Sequence, residues 1–226
     1  MINLERMVDL PFSPKEVKDK EFALFIEDHI KRCRKNQAFI QGDELKEIQQ
    51  KLDEYKSLLN EIRLITNQRK VNTQNIENSV NRFKEFARTI GNFLAFTYSK
   101  NSSEYLQIFP TGLSEISTFN YESIFDLMTR ISEFLSRHQE SEIFINLQSM
   151  FLNISEPLQL SLNNQSLFRE KLAELTQNKN QLKFMLIRYF KRNIYSAFLK
   201  SFNTPSLIYN LFDQKIINRR MSNAKG

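Results

Sequence analysis

Over residues 43–66 the apolar side chains Leu45, Ile48, Leu52, Tyr55, Leu59 and Ile62 fall alternately three and four positions apart. A helix gathers that spacing onto one stripe. A second run, Ile76, Val80, Phe83, Ala87, Ile90 and Leu94, keeps the same rhythm. The polar stretch 67–72 between them reads as a short connection, so the sequence predicts an antiparallel helical hairpin over 43–98. Sheet-rich alternatives are disfavoured by the turn residues: 4 glycines and 5 prolines in 226 residues are too few for a chain of many tight turns. The one strand-like alternation, Leu158, Leu160 and Leu162, is too short to seed a sheet.

Helix punctuation gives the remaining elements. Ser13-Pro14-Lys15-Glu16 combines a capping hydroxyl, a first-turn proline and an acid three residues after the serine, and Thr204-Pro205 repeats the first two features. Asp43 and the Ser155-Glu156-Pro157 group are further start signals. Phe109-Pro110-Thr111-Gly112 is a stop, because proline lacks an amide donor and glycine lets the chain turn. Helices are therefore expected near 14–35, 43–67, 73–99, 102–109, 119–138, 142–154, 156–176, 180–202 and 205–213. The fold class is all-α, a multi-helix bundle built around helical hairpins.

Sliding helix 180–202 onto helix 73–99 matches Phe83 with Ile187, Phe86 with Phe190 and Ile90 with Ile194, and a polar break and short helix follow each. Two readings stay open: two similar helical halves with a seam between Gly112 and Ser141, or a single bundle whose helices align merely because they are amphipathic. The organisation taken forward is an N-terminal half 1–118, a C-terminal half 119–214 packed on it, and a basic tail 215–226.

Charge is uneven within a formal net of +6. Residues 119–157 carry 2 basic and 6 acidic side chains, and 158–226 carry 12 basic and 3 acidic ones. No acid lies between Glu174 and Asp213, where Lys179, Lys183, Arg188, Lys191, Arg192 and Lys200 are interleaved with aromatic residues. Arg188 and Arg192 share one polar side, and with Arg219 and Arg220 of the tail they are the candidate contacts for a polyanion or protein partner. The expected use of this charge is a basic face that pairs with the acidic 119–157 region. An acidic protein partner and nucleic acid are the alternatives, the latter because cations neutralise phosphates while rings stack on bases.

Several chemistries lack their residues. Gly42, Gly91, Gly112 and Gly226 cannot compose a dinucleotide fingerprint or a phosphate-binding loop. His29 and His138 are the only imidazoles, and neither follows a glutamate by three residues, so the di-iron pattern of helical bundles is missing. His29 and Cys33 have the one-turn spacing of two metal ligands, but two ligands do not make a site. Neighbouring Lys31, Arg32, Arg34 and Lys35 would lower the Cys33 pKa. His138 is expected to have a structural role at a helix C-terminus, and Gly91, costly inside a helix, to mark a close approach. No catalytic, metal or cofactor site is assigned. With no secretory signal in MINLERMVDLPF and no span of bilayer length, the expectation is a noncatalytic cytoplasmic binding or scaffold protein with a macromolecular partner. The alternative is a nucleic-acid-binding protein using residues 179–225.

Overall fold

A computed structural model of the chain describes residues 18–36, 42–118, 120–139, 141–200 and 210–211. Among these residues there are five α-helices and no strand. They are α1 (Asp19–Lys35), α2 (Gly42–Tyr98), α3 (Ser103–Ile108), α4 (Tyr121–Arg137) and α5 (Glu142–Lys200), with a 3-10 turn at Leu113–Thr118. The Ser13 and Thr204 start signals, the tail arginines Arg219 and Arg220 and nearly all of the expected helix 205–213 lie outside the described residues.

The hairpin expected over 43–98 is corrected. Residues 67–72 do not turn; α2 is one helix of 57 residues. The stretch holds neither glycine nor proline, and Ile62 and Ile76 remain in phase across it. Asn72 shows why a polar stretch can stay helical and inward. It is 7% exposed, and its amide donates to the Ser161 carbonyl at 2.7 Å and to Gln165 Oε1 at 3.3 Å. The three helices expected over 142–202 are likewise one helix of 59 residues, with Pro157 inside it. Proline there removes one ladder bond and costs about 3 kcal/mol in an isolated helix. Burial of Phe151, Ser155 and Leu158 around that point holds the helix on course.

Shorter elements follow local chemistry. Asn120 caps α4 through a reciprocal box: its side chain accepts from the Ser123 amide at 2.8 Å, and Ser123 Oγ accepts from the Asn120 amide at 2.9 Å. Ser102 caps α3 by accepting from the Tyr105 amide. The stop at 109–112 is seen as expected, with Gly112 at φ +77°, where a side chain would be strained. Gly91 has a packing reason: a Cβ there would collide with Leu113 Cδ2 and approach the Phe109 ring to 3.1 Å.

The chain divides into two compact units, Met1–Thr66 with Glu170–Gly226, and Asn67–Arg169. The first has its core in α1, the start of α2 and the end of α5, built on Phe22, Ile26, Leu52, Tyr55, Leu186 and Phe190. The second has its core on Phe83, Ile90 and Leu94 of α2, Phe109, Phe134 of α4 and Leu158 of α5. The expected border at 118/119 falls inside the second unit, because each long helix gives its first part to one unit and its last part to the other. The order of elements nevertheless repeats between the sequence halves: a 17-residue helix, a short connection and a helix of 57 or 59 residues. Buried positions of α1 and α4 correspond as well: Phe22 with Ile124, Phe25 with Leu127, Ile26 with Met128 and Cys33 with Leu135.

Candidate functional site

The end of α5 has two faces. Leu186, Ile187, Phe190, Ile194 and Ala197 are buried in the first unit's core, as the three-and-four spacing of that run requires. The opposite face repeats at Arg188, Arg192, Tyr195 and Leu199, spaced four, three and four. Tyr195 is 54% exposed and Leu199 75%, and Phe184 and Met185 are exposed beside them. Arg188, Tyr189, Lys191, Arg192 and Tyr195 are among the residues that line a groove of about 690 Å³.

The cations on this face are held differently. Arg192 Nε donates to Glu44 at 2.6 Å, and its guanidinium lies 5.0 Å from the centre of the Tyr189 ring. Tyr189 in turn donates to Glu47, which raises the phenol's pKa. Arg188 is exposed. The structure thus brings together two of the four sequence candidates, Arg188 and Arg192, and adds Tyr195 and Leu199, which the four-three-four spacing from Arg188 would have disclosed, and Lys191, which lines the same groove.

Ion pairing departs from expectation. Among the described residues the basic part of α5 pairs with acids of α1 and α2: Lys171 with Glu61 at 3.0 Å, Lys179 and Lys183 with Asp19 at 2.8 and 2.9 Å, and Arg192 with Glu44. In the 119–157 region Arg137 pairs with Glu133 and Arg130 with Glu115, both within the second unit. Charge balance along the sequence did not reveal this, because the end of α5 belongs to the first compact unit. Asp19 is its focus. Burial alone would raise its pKa, but hydrogen bonds from Lys179, Lys183 and Tyr55 prevail and hold it near 2. Lys183, 3% exposed, also lies over the Phe22 ring at 5.1 Å.

The remaining candidates are structural in their surroundings. His29 is fully buried beside Phe190. Its Nδ1 donates to the Leu211 carbonyl at 2.8 Å, which leaves Nε2 to accept from the Asn193 amide at 3.3 Å. Both nitrogens are therefore engaged by the neutral ring. Burial pushes the His29 pKa down to about 4. The expected activation of Cys33 is corrected: burial, aided by Glu44, pushes the thiol up to about 12. Its cationic sequence neighbours leave the helix on other sides, with Lys31 and Arg32 paired to Glu27 and Asp28. His138 is the C-cap of α4, with Nδ1 2.8 Å from the Phe134 carbonyl and its ring stacked on Phe134. Among the described residues no three His, Cys, Asp or Glu side chains converge as a metal site, and no helix is long and apolar enough to cross a membrane. No protein-family model, curated protein or solved structure matches this chain.

Proposed function

We propose that this protein is a noncatalytic helical binding or scaffold protein that recognises an acidic segment of a macromolecular partner through the end of α5. The observation that carries this reading is the joint exposure of Phe184, Met185, Tyr195 and Leu199 on a helix side that also bears Arg188 and Arg192. Exposed aromatic and aliphatic groups among arginines suit a desolvated contact rimmed by charge. A protein is favoured over nucleic acid because Phe184, Met185 and Leu199 are exposed beside the arginines, and such apolar groups match a partner's side chains better than a phosphate backbone. Exposed Tyr195 beside Arg188 is what favours the second reading, nucleic-acid binding, since a ring can stack on a base.

The test is titration of the wild type and of the double variant Arg188→Glu/Arg192→Glu. The probes are an acidic, leucine-containing synthetic peptide and single- and double-stranded oligonucleotides, each at two salt concentrations. The expected outcome is peptide binding lost in the double variant, with little oligonucleotide binding at physiological salt. Sub-micromolar oligonucleotide binding that the same variant abolishes would assign the face to nucleic acid.

A further inference from the structure

The first part of α5 is apolar on two sides. Phe144, Phe151 and Leu158 face the second unit's core. Outward, Ile145, Leu152, Leu160 and Leu167 are 48%, 43%, 62% and 59% exposed. These four are separated by seven, eight and seven positions, so they form a narrow ridge about 33 Å long. The ridge lies in an unusual stretch: residues 143–168 contain one charged side chain, Glu156, in a chain that is 26% charged. The other outward residues, Asn153, Gln159 and Asn163 among them, are uncharged and exposed. Depletion of charge around a core of exposed aliphatic groups is the composition of the centre of a protein interface.

Glu156 decides what the ridge accepts. It lies four residues after Leu152 and four before Leu160, on the midline of the ridge, and it is exposed. A second copy of this chain, paired on the ridge in either direction with the leucines in register, would bring its own Glu156 against this one. That like-charge contact opposes self-association. We infer that the outer face of α5 over residues 145–167 docks an amphipathic helix of another protein, one with an aliphatic seam and a lysine or arginine at its centre to meet Glu156. The docked helix covers the four aliphatic side chains and gives the lone carboxylate a counter-charge where water is being excluded. This surface shares no residue with the Arg188 and Arg192 face, and it makes the protein a two-surface adaptor.

The experiment uses the full chain and two synthetic helical peptides of about 26 residues, with leucines at the spacing of the ridge and either lysine or glutamate at the centre. Binding is read by fluorescence anisotropy. The lysine peptide is expected to bind the wild type about tenfold more tightly than the glutamate peptide, and Glu156→Lys to reverse that preference. Leu152→Ser/Leu160→Ser should abolish binding of both peptides while leaving the helical circular dichroism unchanged. Failure of both peptides to bind at about 100 μM, or the same preference in wild type and Glu156→Lys, overturns the inference. Sedimentation of the chain alone provides a further check: a dimer that the leucine double variant dissociates would assign the ridge to a second copy instead.

Discussion

Acid should destabilise the first unit through His29. The ring is neutral in the fold, where burial lowers its pKa from 6.5 to about 4. Above pH 6.5 neither the folded nor the unfolded chain protonates this group, so its contribution to stability is fully present. Below 6.5 the unfolded chain takes a proton that the folded chain refuses, and stability falls until the pH reaches about 4. For these two values the loss is about 2 kcal/mol at pH 5 and about 3 kcal/mol at pH 4. Asp19 and Glu27, both held near 2 in the fold from ordinary values of 3.8 and 4.5, add their own losses at lower pH. Urea titrations followed by circular dichroism at pH 7, 6 and 5 measure the effect. His29→Asn keeps an amide nitrogen near the Nδ1 position that can donate to the Leu211 carbonyl but cannot titrate, so it should be less stable at pH 7 and lose little more by pH 5. A variant that loses as much stability as the wild type between pH 7 and 5 would refute the reasoning, as would an imidazole titration of His29 near 6.5.

Leu52→Ala and Phe83→Ala, both at fully buried positions in separate cores, should each cost about 2 to 5 kcal/mol in urea unfolding. Losses below about 0.5 kcal/mol would show that the wrong helix face has been assigned to the core. Gly91→Ala should lower stability by about 1 to 3 kcal/mol despite alanine's better helix propensity, because the new methyl meets Leu113 and Phe109. An unchanged or higher midpoint would mean that the 109–113 segment yields freely. Asp19→Asn should cost about 1 to 3 kcal/mol, since Lys179, Lys183 and Tyr55 all donate to that carboxylate. Arg192→Glu should cost at most about 1 kcal/mol through its pair with Glu44. Arg188→Glu should leave the unfolding midpoint nearly unchanged.

What the amino-acid sequence determined by itself was local: helix, and the side of each helix that is buried. Leu52, Phe83, Ile90 and Phe190 lie in the cores where the three-and-four spacing placed them, because burial of one stripe is a property of a helix and its own residues. Arg188 and Arg192 were legible as one polar side for the same reason. Where helices end was legible at 109–112, where proline is followed by a glycine at positive φ, but not at 67–72, where local preference is weak, nor at 155–157, where packing overrules the cost of Pro157. Asn72 is held by Ser161, far along the chain, and no spacing rule reaches that distance. The same limit applies to charge. That Lys179 and Lys183 pair with Asp19, and that the Cys33 thiol is buried with its pKa raised although cations flank it in sequence, depends on which helices meet. Tertiary structure alone decided this, because Coulomb interactions and desolvation act through space and not along the chain.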